Sequence, residues 1–194
     1  AITIVDLFQV GKRYLDREDF VTQQNFEQQF QPRPVDQQII AAEAQANPAL
    51  GRGAYRVMDY SIDAFNVSST SYFHNTIGGH HAAKLQRIQD IIDRHITQQN
   101  GKVLDMFNTK YIIYGERGQE QVQQNPNAAG NAWFVDTIKI VPNANAEIDG
   151  LNDFNPATQV VVHQEFQDYL SRFDPTPNGT ISLTAYEPDH LTYQ

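Results

Sequence analysis

The sequence lacks cysteine entirely, so its 194 residues form neither a disulfide framework nor a thiolate metal cluster. It also lacks a long hydrophobic run, since no stretch approaches the roughly 18–20 apolar residues that a membrane-spanning helix needs. Positive charge is scarce, with 14 Lys and Arg residues against 23 Asp and Glu residues and a formal net charge of −9. Because binding to nucleic-acid phosphates depends on basic patches, this balance argues against nucleic acid as a partner, although it leaves room for a local anion site.

Hydrophobic residues make up 40% of the chain, which is enough for one sizeable core or for a core with a long flanking segment. The chain opens on the apolar stretch AITIVDLFQV, residues 1–10, as if already inside a secondary-structure element. Two interpretations are open: a first core strand or helix, or a fragment cut from a longer polypeptide just after a hydrophobic segment. The second interpretation is favoured.

The N-terminal part of the chain has the composition of a connecting segment. From residue 16 onward it is rich in Gln, Asp, Glu and Pro, and the two prolines of QPRP (residues 31–34) disfavour a helix there. The following PVDQQIIAAEAQANPALG predicts a short helix that ends near Asn47. We therefore expect residues 1–50 to form a partly helical connecting arm, packed on a domain formed by residues 51–194.

Patterns typical of strands alternate with patterns typical of helices in this domain. AYRVMDYS and AWFVDTIKIV alternate as strands do, and TQVVVHQ is a β-branched run typical of a buried strand. HAAKLQRIQDIIDRHI predicts the clearest helix, Ala82–Ile96. Such an alternation predicts an α/β layered domain with a mixed β-sheet flanked by helices. We expect one central sheet containing residues 55–59, 111–114, 134–140 and 160–162, against which the helix packs through Leu85, Ile88 and Ile92.

The stretch STSYFHNTIGGHHAAKLQR, residues 69–87, raises the question of function. It could be a metal site, the neighbourhood of a nucleophile, an anion cradle or a polar turn. The adjacent His80 and His81 seldom chelate one metal together because they point to different sides of a strand or helix, and no HExxH motif is present. No GxSxG motif accompanies the serines. We therefore expect no metal and no cofactor.

An anion cradle agrees better with these residues. Gly78 and Gly79 can bring backbone amides close to a ligand, and the predicted helix that follows offers unpaired N–H groups and the positive end of its dipole. Lys84 and Arg87 lie within its first two turns and add positive charge. The alternative is that the Gly-Gly pair only permits a turn and that Lys84 and Arg87 only solvate a helix face.

Two further features invite a functional interpretation. Trp133 could stack on a sugar ring, but a lone tryptophan within an alternating strand is more often part of the core. NPNAAGN, residues 125–131, could be a ligand-binding loop, but its Asn and Gly residues already satisfy the demands of a turn.

Four blocks of sequence carry a family resemblance. In order they are YRVMDYSIDAFNVSSTSYFHNTIGGHHAAKLQRIQDIID, VLDMFNTKYII, NPNAAGNAWFVDTIKIVPNANAEIDGLNDFNP and ISLTAYEPDHLTYQ. Together they closely resemble the extracytoplasmic soluble region of YfhO-type bacterial membrane proteins, and the opening VDLFQVGKRYL resembles that family's exit from its last core membrane helix. The resemblance covers nearly the whole chain, although residues 21–50 are weakly patterned, and no single motif in it is a catalytic signature.

The resemblance implies the setting of a C-type glycosyltransferase: many membrane helices, a polyprenyl-phosphate-linked sugar donor and transfer on the outer side of the bacterial cytoplasmic membrane. Catalysis in such enzymes relies on an acidic residue in a membrane-proximal loop that this chain does not contain, so no catalytic residue is assigned. The implied partners are the membrane-embedded part of the same polypeptide and a lipid-linked sugar or envelope glycan. The family region is expected to continue beyond LTYQ into further β structure. The stretch TSYFHNTIGGHHAAKLQR is expected to face the membrane-embedded site, and its candidate substrate-binding residues are Tyr72, His74, Gly78, Gly79, His80, Lys84 and Arg87.

Two hypotheses from different classes follow. In the first, the chain helps to form the donor or acceptor pocket of a glycosyltransferase, and in isolation it has almost no affinity for glycan. In the second, it is a binding or scaffolding module that recognises an envelope glycan or a partner, and it keeps measurable glycan affinity in isolation. A soluble metal hydrolase is a weaker third possibility.

Overall fold

The computed structural model describes residues 2–15, 17–28, 30–80, 82–173 and 179–194, and it divides into two compact units, Ala1–Arg33 and Pro34–Gln194. The first unit contains helix α1 (Ile2–Gly11), a 3₁₀ turn (Arg17–Asp19) and helix α2 (Gln23–Gln28). The apolar opening is therefore helical. Within the described ranges, no helix is both long enough and apolar enough to cross a membrane.

The second unit alternates helices with strands, and the two types of element are distributed along its whole length. Helix α4 (Gln86–Ile91) continues without a break into a π-helix, Ile92–Ile96, whose backbone hydrogen bonds join residues five apart and not four apart. The elements in chain order are α3 (Pro34–Ala46), β1 (Arg56–Asp59), α4 (Gln86–Ile91), α5 (Gly101–Met106), β2 (Thr109–Tyr114), β3 (Gln121–Gln124), β4 (Thr137–Val141), α6 (Ala144–Gly150), β5 (Gln159–His163), α7 (Gln167–Leu170), β6 (Leu183–Tyr186) and β7 (Leu191–Tyr193), with 3₁₀ turns at Gly51–Ala54, Thr70–Tyr72 and Gln164–Phe166.

The strands form three sheets. In the first, β1 pairs in parallel with β2, and β2 pairs antiparallel with β3, so this sheet is mixed. The second is a parallel pair, β4 with β5, and the third is the antiparallel pair β6 with β7. The predicted α/β fold with a mixed sheet flanked by helices is confirmed. The expectation of one central sheet is wrong, because the strands predicted at 134–140 and 160–162 pair with each other in a separate sheet.

The three-stranded sheet is covered on both faces. Val57 on β1 packs with Ile39 on α3, whereas the next residue, Met58, packs on the other side with Ile92 and Val103. Successive side chains of a strand point to opposite faces, so α3 covers one face and the π-helix with α5 covers the other. Strand β1 is therefore buried on both faces and is not half-exposed.

Helix α3 belongs to this core. Proline is favoured at the first helical position because its missing N–H is not needed there, and Pro34 begins the helix. The helix ends at Ala46, which confirms the predicted end near Asn47. Since Val35 and Ile39 pack with the first sheet, α3 lies in the second unit, and the two units divide after Arg33, whereas the sequence analysis drew the boundary at residue 50.

The predicted helix Ala82–Ile96 is shorter than expected and packs differently. It begins at Gln86, and Leu85 just before it is 73% exposed. Ile88 is also exposed, whereas Ile92 and Ile96 are buried. The predicted contacts of Leu85 and Ile88 are therefore wrong and that of Ile92 is right. The reason is that the helix contacts the core only through its second half, where the π-helical turn also shifts the angular positions of the side chains.

Candidate functional site

The Gly78–Gly79 pair forms a tight turn against the backbone of Ala64. The Gly79 N–H donates to the Ala64 carbonyl oxygen at 2.6 Å, and a Cβ at Gly78 would lie 2.0 Å from that same oxygen. Gly79 also has φ +114, a conformation that favours glycine. The pair therefore permits a close approach of two backbone segments. The sequence predicts that this pair brings backbone amides close to a ligand, but the Gly79 amide is already bonded to Ala64.

The charged residues of the same stretch have separate surroundings. Because helix α4 begins only at Gln86, the glycine turn does not run directly into a helix N-terminus as the sequence analysis expected. The Lys84 ammonium lies 5.5 Å from the centre of the Phe65 ring, in a cation–π contact. His80 is exposed, His81 lies outside the described residues, and Arg87 lines a cavity beside α6.

Tyr72 and His74 differ sharply in exposure. The Tyr72 side chain is about half exposed, and its carbonyl oxygen accepts a hydrogen bond from Arg52. His74 is 1% exposed, with Nδ1 2.9 Å from the Tyr55 hydroxyl and Nε2 3.3 Å from the Asp36 carboxylate. Burial, followed by the charge of a nearby glutamate, raises the pKa of Tyr55 to about 12. Tyr55 therefore keeps its proton, and its hydroxyl shares one hydrogen bond with His74 Nδ1, while Nε2 faces Asp36.

A second buried polar group, Glu43, holds α3 against β2. Its carboxylate accepts hydrogen bonds from the Tyr111 hydroxyl at 2.7 Å and from the Asn47 amide at 2.8 Å, and it pairs with Lys110. Burial alone would raise the pKa of Glu43, but hydrogen bonds from Lys110, Tyr111 and Asn47 outweigh burial and lower it. Burial and the Glu43 hydrogen bond raise the pKa of Tyr111. Since these groups satisfy one another, the cluster stabilises the packing of α3 on β2.

The cavity best suited to a ligand lies elsewhere, between α5 and two loops. It has a volume of about 690 Å³, within the range of small-molecule sites. One loop is NPNAAGN and its continuation to Trp133, and the other is NDFNPAT, residues 152–158. Its polar lining consists of carboxylates, amides and one ammonium group, contributed by Lys102, Asp105, Asn127, Asp153, Asn155 and Gln159.

Hydrogen bonds fix both loops at the mouth of this cavity. The Asn125 amide donates to the Asp105 carboxylate at 2.7 Å, which ties the first loop to α5. The half-buried Trp133 ring donates its indole N–H to the Pro156 carbonyl at 2.7 Å, which joins the two loops. The Lys102 ammonium donates to the Asn152 carbonyl at 2.9 Å. The cavity is therefore preformed, and the orientation of the indole ring in its wall is fixed.

Two polar side chains at the rim remain available to a ligand. Within the described part of the chain, the side chains of Asn127 and Asp153 have no recorded hydrogen-bond or ion-pair partner. Asn127 can donate and accept, and Asp153 can accept. A fixed aromatic ring beside such groups suits a ligand with an apolar face and several hydroxyl groups.

The sequence patterns suggest only part of this site. They offer Trp133 and the NPNAAGN loop as possible ligand contacts but favour a core position for the tryptophan and a plain turn for the loop, whereas both line the cavity. Lys102, Asp105 and Asp153 were missed. The second turn-rich segment, NDFNP, was the available signal, but nothing in the sequence states that the two loops meet.

A metal centre is not supported by the side-chain arrangement. Among the residues the structure describes, no group of three or more His, Asp or Glu side chains is placed to hold a metal ion.

Comparison of the chain with protein-family models, with curated proteins and with solved structures found no match.

Proposed function

We propose that this chain is the extracytoplasmic domain of a multi-pass membrane protein resembling the polyprenyl-phosphate-sugar-dependent glycosyltransferases. In that protein, the chain recognises glycan and performs no chemistry. The setting, on the outer side of the bacterial cytoplasmic membrane, rests on the four ordered blocks of sequence. The role within that setting rests on one observation, the preformed cavity beside Trp133.

The cavity has the chemistry that a sugar requires. A sugar ring has an apolar C–H face, which an indole can cover, and a periphery of hydroxyl groups that both donate and accept hydrogen bonds. Trp133 supplies the ring, Asp153 and Asn127 supply acceptors, and Asn127 also donates. A purely apolar ligand would leave these polar groups without partners, which is unfavourable.

The chain's single tryptophan makes the binding test direct. Trp133 is the only Trp in the sequence, so a ligand-dependent change in tryptophan fluorescence reports on the surroundings of this ring, which lines the glycan cavity and an adjoining cavity of about 370 Å³. The Asn127 variant below distinguishes the two, because Asn127 lines only the glycan cavity. We expect a saturable change when oligosaccharides of bacterial envelope polymers are added to the purified chain. The alternative, in which the chain only completes a pocket with its membrane-embedded half, predicts no affinity in isolation.

Variants separate recognition from folding. Trp133→Ala should abolish glycan binding measured by isothermal titration calorimetry. Phe134→Ala should preserve glycan binding, because it removes a neighbouring, half-exposed aromatic ring that lies outside the cavity lining. Because Trp133 also joins two loops, Asn127→Ala is the milder variant, and it should weaken binding about two- to tenfold, as expected for one neutral hydrogen bond. Equal affinities of Asn127→Ala, Trp133→Ala and the parent chain would contradict the proposal.

A further inference from the structure

A smaller cavity, of about 300 Å³, lies beside helix α4 and helix α6. Helix α4 and its π-helical continuation contribute Arg87, Ile91 and Arg94, spaced by four and three residues, so the three side chains lie near one face. The remaining apolar lining comes from α5, from α6 and the residue that follows it, and from β5, and consists of Met106, Ala144, Ile148, Leu151 and Val161. The cavity therefore combines an apolar interior with guanidinium groups.

The charged side chains of the lining are two arginines, Arg87 and Arg94, and two carboxylates, Asp90 and Glu147. Asp90 accepts a hydrogen bond from Gln86 at 2.8 Å, and Glu147 accepts one from the His163 N–H at 3.1 Å. Arg94 is paired with Asp149 at 3.1 Å. In the described ranges, the side chain of Arg87 has no recorded hydrogen-bond or ion-pair partner. Both carboxylates of the lining accept an internal hydrogen bond and Arg94 is already paired, so among the described residues Arg87 is the charged side chain of this lining that has no internal hydrogen-bond or ion-pair contact.

The π-helix is an independent sign of function at the same place. Single-turn π-helical segments within α-helices are rare and occur frequently at functional sites. This one, Ile92–Ile96, contains Arg94 and directly follows Ile91, both of which line the cavity.

We propose that this cavity binds an amphiphilic anion, with the apolar body of the ligand on Ile148, Leu151 and Val161 and its carboxylate or phosphate on Arg87. An apolar interior accounts for the body of the ligand, and an arginine without an internal partner accounts for its charge. This site is separate from the glycan cavity, and the inference does not depend on the proposed function.

Four probes test both parts of the ligand. Decanoate and decyl phosphate have the apolar chain and differ in the anionic head group, decanol has the chain without the charge, and inorganic phosphate has the charge without the chain. Each is titrated into the purified chain below its micelle-forming concentration, with binding followed by calorimetry and by NMR shifts of the α4 and α6 amides. We expect at least one decyl anion to bind at least about fivefold more tightly than decanol, since a hydrogen bond to a charged group is worth that much or more. The preferred anion identifies the head group.

Two substitutions locate the site. Arg87→Gln should reduce the affinity for the preferred anion to that of decanol, whereas Arg117→Gln, at an exposed arginine outside this cavity, should leave it unchanged. Ala144→Trp should block binding by filling the cavity from its exposed rim. The proposal is overturned if decanol binds as well as both anions, if inorganic phosphate binds as well as decyl phosphate, or if Arg87→Gln and Arg117→Gln behave alike.

Discussion

Replacing Tyr111 by Phe removes one hydroxyl from the core and leaves the packing of the ring intact. The Tyr111 side chain is buried, its hydroxyl donates to Glu43 at 2.7 Å, and its ring packs edge-on against Tyr55 with the centres 5.5 Å apart. A hydrogen bond to a charged group contributes about 1.5–3 kcal/mol to stability, so we expect the free energy of unfolding at pH 7 to fall by about that amount.

The effect should depend on pH in a defined direction. The pKa of Glu43 lies below its ordinary value of 4.5 in the folded chain, so its charge stabilises the fold above pH 4.5, and this contribution is lost as the pH falls through the lowered pKa. The hydroxyl of Tyr111 is one of the groups that lower it. The stability difference between the parent chain and Tyr111→Phe should therefore be largest near neutral pH and shrink under acid conditions.

A matched control lies on the same strand. Tyr114 is 41% exposed, and its hydroxyl donates to the Gln121 side chain at 3.1 Å in contact with water. Tyr114→Phe makes the same chemical change and should alter stability by less than about 0.5 kcal/mol. Urea unfolding followed by circular dichroism, repeated between neutral and acid pH, measures both variants. Equal stabilities of the two, or a difference that does not change with pH, would refute the reasoning.

Three other predictions concern packing and metal. Gly78→Ala should destabilise the chain by about 1–3 kcal/mol, because the new Cβ would clash with the Ala64 carbonyl. The control Gly101→Ala, which has open space around it, should not destabilise the chain. Equal thermal stabilities of the two variants would be evidence against the packing of this turn. Leu85→Ala should lower the free energy of unfolding by less than about 0.5 kcal/mol because the side chain is exposed, whereas Ile92→Ala should lower it by about 2–5 kcal/mol because that side chain is buried. Urea unfolding that reverses this order would contradict the packing described for α4. The purified chain should carry no stoichiometric zinc, and elemental analysis that finds one tightly held transition metal per chain would prove this wrong.

Local sequence patterns were reliable where neighbouring residues decide the outcome. The proline and glycine residues after α3 predicted a short helix that ends near Asn47, and the helix ends at Ala46. The β-branched run at β5 formed a strand, Gln159–His163, and the loop signal of NPNAAGN was correct. These features depend on steric preferences and hydrogen bonds that act over a few residues.

The helix around α4 shows where such patterns fail. Apolar spacing predicted that Leu85, Ile88 and Ile92 share a buried face, yet the spacing of residues does not state which part of a helix reaches the core. The neighbouring segments cover only the second half, so Leu85 and Ile88 remain exposed. The same limit applies to the glycine pair, whose partner Ala64 is close in the fold and is not predicted by the pattern.

The sequence by itself determined the α/β class and most of the elements, because composition and short-range periodicity are properties of the chain alone. Only the tertiary structure decided that the strands divide into three sheets, that His74 is buried beside Tyr55, and that the loops around Trp133 and Pro156 enclose a cavity. Which distant segments pair with each other depends on the free energy gained when both segments are buried together. Many alternative pairings agree equally well with the local sequence pattern. The candidate sites depend on those pairings, so the groups available to a ligand are found at Trp133 and Arg87, while the Gly79 amide is already bonded to Ala64.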